Sequence, residues 1–179
     1  ASAQGLVQGG STSGGTLLYR LGTDGEYSQT IPSAVDAGDY TVYYKVQGDD
    51  DFTDVAERSL TVTIAKRPAT VAPKAVSLTK GAVLPTFQLA YTGLVGGDVL
   101  TPSVQPVFAC LDKTGAAVTK DSPAGTYTIT WTNMAETEFS GADNYQLTKE
   151  AAAQLTITVP SSGSDRSDSA PTYPVTTPS

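Results

Sequence analysis

The densest group of chemically capable side chains in the sequence is the run Asp49-Asp50-Asp51, with Asp54 close behind. Carboxylate oxygens are the hard donors that Ca²⁺ takes, so the run is a candidate calcium site. It lacks the spacing of an EF-hand or of a calcium-binding nonapeptide, and a solvated acidic turn has the same composition. No metal site is assigned, and Asp49, Asp50 and Asp51 stand as weak calcium candidates. Two carboxylate pairs, Asp36 with Asp39 and Glu136 with Glu138, are in principle a glycosidase-like acid and base. The sequence around them supplies no substrate-sized apolar pocket, so they read as solvated loop acids.

Nucleophilic chemistry is poorly supplied. The chain has no histidine, which removes Ser-His-Asp and Cys-His systems and any imidazole metal site. Its single cysteine, Cys110, excludes an internal disulfide and a multi-cysteine metal site. Cys110 lies in the strand-like run VQPVFACL, with no cation beside it in sequence to lower its pKa, and reads as a small buried apolar residue. The expectation is no catalytic residue, no cofactor and no enzyme.

A sugar-stacking platform would need exposed aromatic rings, and Trp131, Tyr43, Tyr91 and Tyr145 are the candidates. Trp131 is in phase with Tyr127 and Ile129, which assigns it to the core. Tyr43 shares the Thr41 and Lys45 face and is the one weak ligand-binding candidate, although a single exposed strand tyrosine also serves cross-strand packing.

The elements that position these residues are strands. An apolar fraction of 39% with 16% charged residues suits a folded chain, and Gly 17 with Pro 11 favours many turns and few long helices. Period-two alternation marks Tyr40–Val46, Ser59–Ala65, Tyr127–Thr132 and Gln154–Val159, each with apolar residues on one face and threonines on the other. The turns repeat with the strands, since Ala37-Gly38-Asp39-Tyr40 and Ala124-Gly125-Thr126-Tyr127 introduce equivalent ones. Each glycine suits a special backbone position, and each tyrosine is expected to send its hydroxyl to a backbone acceptor in the manner of a tyrosine corner.

The segments between the paired strands, Gly48–Arg58 and Asn133–Ala153, read as polar loops, the second partly helical at KEAAAQ. The repeat predicts an all-β fold of two tandem immunoglobulin-like β-sandwich modules, 1–66 and 67–159, joined stiffly at Lys66-Arg67-Pro68. A Ser/Thr/Pro-rich tail, 160–179, is expected to be disordered.

Net charge −7 repels phosphate backbones and anionic lipid heads, so nucleic acid is not an expected partner. No apolar run is long enough to span a bilayer, and the first residues lack the pattern of a signal peptide, so no membrane insertion is expected within this segment.

Gly14-Gly15-Thr16, Tyr19, Tyr27, Ile31-Pro32, Ala37-Gly38, the Tyr40 strand, Gly48-Asp49 and the Val62-Thr63-Ile64 strand together resemble the repeat modules of large bacterial surface proteins. The second half resembles the MBG-type domains found in tandem in cell-wall-associated adhesins, through Leu84-Pro85, Tyr91, Gly93-Leu94, Gly97-Asp98, Gly125, Tyr127, Asn144-Tyr145 and Leu155-Thr156-Ile157. Two features depart from that pattern: the elaborate segment Gln105–Lys120, and Lys80-Gly81 where the family carries Tyr-Gly.

The resemblance implies an extracellular, non-catalytic, monomeric segment of an exported bacterial protein. It would act as a stalk or protein-interaction module beside neighbouring repeats, with a host or matrix glycan or protein as a further partner. The alternative is a carbohydrate- or glycoprotein-binding module of an adhesin or enzyme. Some such modules carry Lys–Asn isopeptide crosslinks, for which Asn133 and Asn144 are the two asparagines present.

Overall fold

The computed structural model describes residues 2–135 and 137–160. The N-terminal group of strands is β1 (Gln4–Gly5), β2 (Thr16–Leu21), β3 (Ser33–Ala34), β4 (Gly38–Gln47) and β5 (Val55–Ile64). One sheet has the order β2-β4-β5, and β1 pairs with β3 as a short second layer. Alternation explains the packing: Tyr40, Val42 and Tyr44 of β4 turn inward, joined by Tyr19, Val62 and Ile64, and the N-terminal Leu6 closes over them. Val42 is completely buried.

The C-terminal group is β6 (Arg67–Pro73), β7 (Val76–Thr79), β8 (Leu89–Thr92), β9 (Thr101–Pro102), β10 (Phe108–Leu111), β11 (Gly125–Trp131), β12 (Phe139–Ser140), β13 (Tyr145–Lys149) and β14 (Ala152–Thr158). One sheet runs β10-β11-β14-β7 and another β13-β6-β8, with β9 and β12 forming a short pair. Between the sheets, Ala69, Val71, Leu100, Trp131, Phe139 and Tyr145 form one core cluster. Cys110, Val118, Ile129, Leu155 and Ile157 form a second, and Phe108 packs against both. Ile129 and Leu155 are fully buried, each worth about 1.5–3 kcal/mol of transfer free energy. The fold is therefore all-β, with no helix among the described residues.

Both anticipated tyrosine corners form. The Tyr40 hydroxyl donates to the Asp36 carbonyl at 2.8 Å and that of Tyr127 to the Pro123 carbonyl at 2.6 Å, each four residues upstream. The glycines before them share one near-extended conformation, φ 157° at Gly38 and 159° at Gly125.

Three expectations are corrected. KEAAAQ is not helical: Lys149 ends β13, Ala152 begins β14, and the Glu150 amide donates to the Val71 carbonyl at 2.8 Å. Ala152 and Ala153 pair with Thr130 and Ile129, so sheet pairing overrides alanine's helix preference. Gly48–Arg58 is a loop only to Asp54, because Val55–Arg58 already belong to β5. Asn133–Ala153 is likewise no open loop, since it holds β12, β13 and the start of β14. The sheets are mixed, with β13 parallel to β6 and β7 parallel to β14. The 160–179 tail expectation falls, after Pro160, outside the described residues.

Only Ala65 and Lys66 separate β5 from β6, and Asn144 bridges the junction. Its carbonyl accepts the Arg67 amide at 2.9 Å, its side-chain oxygen accepts the Ala37 amide at 2.6 Å, and its Nδ2 donates to Asp36 Oδ1 at 2.8 Å.

Candidate functional site

The outer face of the β2-β4-β5 sheet carries the main polar and aromatic constellation. Register sets Arg20 opposite Tyr43, and alternation places Lys45 on the same face as Tyr43. The loop after β2 folds back through a Tyr19–Ser28 bridge, which brings Tyr27 over this face. The Arg20 guanidinium lies 4.4 Å from the Tyr43 ring centroid and 5.2 Å from that of Tyr27, while Lys45 Nζ is 4.4 Å from the Tyr27 ring. These are cation–π distances.

Glu57 of β5 completes the group. Arg20 donates to it through Nε at 3.2 Å and through its terminal nitrogen at 2.9 Å, and the Tyr27 hydroxyl donates to the same carboxylate oxygen. The remaining Arg20 nitrogen donates to the carbonyls of Gly22 and Thr23. The Tyr27 hydroxyl and the guanidinium hold the Glu57 carboxyl below its usual range. Partial desolvation and then the hydrogen bond to Glu57 push the Tyr27 phenol up, and hydrogen bonds to Tyr27 and Glu57 raise Arg20.

Chemically this is an internally bonded patch with two cations, Arg20 and Lys45, and one carboxylate, Glu57. Its guanidinium is committed to internal acceptors, and the ring faces are occupied by cations instead of standing open to a sugar. Tyr43 is half-buried, with Arg20 stacked on it, which weakens its case as a ligand-stacking residue. Sequence reasoning identified Tyr43 and its Lys45 neighbour. Arg20, Tyr27 and Glu57 were missed because they arrive through cross-strand register and a loop bridge.

The aspartate run is built into its own loop. Asp49 accepts the Gly15 amide through Oδ2 at 3.1 Å and the amides of Asp51 and Phe52 through Oδ1, each at 3.1 Å. Asp54 accepts the Gly48 amide at 2.7 Å. Backbone donors, that of Asp51 foremost, depress the Asp49 pKa. Asp49 and Asp54 thus act as turn-closing acceptors. Among the described residues no group of three or more His, Cys, Asp or Glu side chains is arranged to hold a metal ion.

The other singled-out residues are spread through the fold. Asp36 and Asp39 face different partners, Asn144 and Thr63. Glu138 approaches Lys149 at 3.9 Å, while Glu136 lies outside the described residues. Trp131 is core and donates its indole N–H to the Glu150 carbonyl at 2.9 Å. Tyr91 packs edge-on to Phe139, and the buried Tyr145 donates to Asp98 at 2.6 Å. Cys110 is buried, which raises its thiol pKa. Asn133 is bound to Gln105 and Val107, as Asn144 is to Asp36 and Ala37.

Comparison with known proteins matches residues 69–156 to the family model described as MBG domain (YGX type). No curated protein and no solved structure matches the chain. The departure at Lys80-Gly81 keeps the glycine of the expected pair, and its φ of 91° requires one.

Proposed function

We propose that the chain, whose residues 69–156 match the family model described as MBG domain (YGX type), is a non-catalytic repeat segment of a bacterial cell-surface protein, serving as a stalk. MBG domains occur in surface proteins, which favours an extracellular setting. No helix among the described residues is long and apolar enough to cross a membrane. The duplicated Gly–Tyr corners and, among the described residues, the pairing of β1–β5 and of β6–β14 within each group support two immunoglobulin-like units, 1–66 and 67–159.

The observation that carries the stalk reading is the direction of the terminal strands in the C-terminal group. Tension enters at Arg67 and leaves after Thr158. Strand β7, close to the entry, pairs in parallel with β14 at the exit. Pulling opposite ends of parallel neighbours shears the ladder, so its hydrogen bonds share the load instead of opening one by one. The β6–β13 ladder is also parallel and adds a second resisting contact. The two-residue link and the Asn144 bridge limit slack between the groups.

Single-molecule stretching of the full chain tests this. Residues 67–158 are expected to open in one abrupt, high-force event. Lys80→Pro removes the 2.8 Å bond from the Lys80 amide to the Thr158 carbonyl, a loss of about 0.5–1.5 kcal/mol that speeds forced opening roughly two- to twelvefold. Gradual low-force unzipping that ignores Lys80→Pro would remove the support for a stalk.

A further inference from the structure

The two groups end on equivalent strands whose outer edges differ. Register aligns them: Gly38 pairs with Ile64, Tyr40 with Val62 and Val42 with Leu60, as Gly125 pairs with Ile157, Tyr127 with Leu155 and Ile129 with Ala153. In the C-terminal group β14 has neighbours on both sides, β11 and the parallel strand β7. Val76 and Leu78 of β7 stand beside Leu155 and Ile157 and pack on their core, leaving those residues 0% and 4% exposed. In the N-terminal group β5 pairs, among the described residues, only with β4. Val62 and Ile64 are half-buried, and Leu60 is 38% exposed.

Two clefts on the inner face of the sheet reach β5. One, of about 360 Å³, lies between Val7, Leu17, Val55 and Leu60. The other, of about 430 Å³, lies between Leu6, Val35, Val62 and Ile64. The edge from Ser59 to Ile64 also lacks the usual protection of an open strand. It has no charge, proline or glycine, while Glu57, Arg58 and the bulge near Tyr44 are confined to the Val55 end.

We propose that the Ser59–Ile64 edge of β5 is a strand-docking site. It takes up an extended segment of the same chemistry as β7, running parallel to β5 with apolar residues at alternate positions beside Leu60, Val62 and Ile64. The β7 segment shows the chemistry and the polarity of the occupant, because it fills the equivalent edge with Val76 and Leu78 inward and Ser77 and Thr79 outward. Main-chain bonds supply attraction and the two clefts supply selectivity for the inward side chains. The inference rests on the internal repeat and stands apart from the stalk reading.

The test fuses a second copy of Lys74–Lys80 ahead of Ala1 through a short Gly/Ser linker in the full chain. Ser2 lines the cleft at the Ile64 end, where a parallel segment finishes, so the linker need not be long. Amide hydrogen exchange by NMR is expected to show at least tenfold added protection at the alternate Ser59–Ile64 amides that β4 leaves unbonded. Cross-strand NOEs should place the fused valine beside Val62 and the fused leucine beside Ile64. A fused copy carrying Val76→Asp and Leu78→Asp should give no added protection. Equal protection from both copies, none from either, or NOEs in the reverse order would overturn the proposal. So would concentration-dependent protection of β5 in the unfused chain, which would mark antiparallel pairing between two copies.

Discussion

Replacing Asn144 by alanine should loosen the junction between β1–β5 and β6–β14 while leaving both folded. The substitution deletes the Oδ1 acceptor of the Ala37 amide and the Nδ2 donor to Asp36, but keeps the backbone bond from Arg67. Each side-chain bond contributes about 0.5–1.5 kcal/mol net. The Asp36 carboxylate is exposed and falls at the low end of that range, so the pair is worth about 1–2 kcal/mol, a factor of roughly 5–30 in the docked-to-undocked ratio. Exchange of the Ala37 amide should accelerate by that factor. The Tyr145 amide, bonded to the Ala142 carbonyl at 2.9 Å inside the C-terminal group, should keep its rate and serve as the control. Residual dipolar couplings should then report two alignment tensors where the parent gives one. Asn144→Asp retains an acceptor for Ala37 but sets a second carboxylate against Asp36, and its larger loosening should shrink as salt rises. Unchanged Ala37 exchange and a single tensor in both variants would refute the reasoning.

Trp131→Ala should cost about 3–5 kcal/mol in urea unfolding, through the cavity and the unpaired Glu150 carbonyl it leaves; a loss below about 1 kcal/mol would contradict its core role. Glu57, Asp49 and Asp112 all have folded-state pKa values below their ordinary 4.5 and 3.8, Asp112 through the Thr114 hydroxyl and nearby amides. A depressed carboxylate stabilises the fold above its unfolded pKa and loses that contribution as pH falls through the folded value. Urea midpoints should therefore hold near neutrality and decline on acidification through those values, less steeply in Glu57→Gln; a flat profile would be inconsistent with these contacts. Cys110 should resist iodoacetamide in the native chain and react readily in denaturant, and equal rates would contradict its burial.

Legibility followed range of interaction. The strands around Val42, Ile129 and Ile157 were readable because one buried face imposes a period of two on neighbouring residues. The tyrosine corners were readable because donor and acceptor lie four residues apart in the chain. KEAAAQ misled because alanine's helix preference is local, whereas its strand conformation comes from pairing with β11. The parallel β6–β13 and β7–β14 ladders join residues distant in sequence and left no short-range trace. The outer-face patch was legible only at Tyr43 and Lys45. Arg20, Tyr27 and Glu57 depend on register, a loop bridge and an early start to β5.

The repeat also shows what alternation cannot encode. Leu60-Thr61-Val62-Thr63-Ile64 and Ala153-Gln154-Leu155-Thr156-Ile157 occupy equivalent positions, yet Leu155 and Ile157 are buried while Val62 and Ile64 are only half-buried. The pattern states which side chains can be buried. Whether they are depends on a neighbour strand, present as β7 in one group and, among the described residues, lacking beside β5 in the other. Finishing the burial of Leu60, Val62 and Ile64, each already partly covered, would add roughly 2–4 kcal/mol at ordinary transfer values. That is a sizeable share of the stability of a small domain. A docked strand at β5 would consequently raise the stability of the N-terminal group more than a single side-chain contact on its outer face such as Arg20–Glu57, whose carboxylate is 40% exposed and whose attraction water screens.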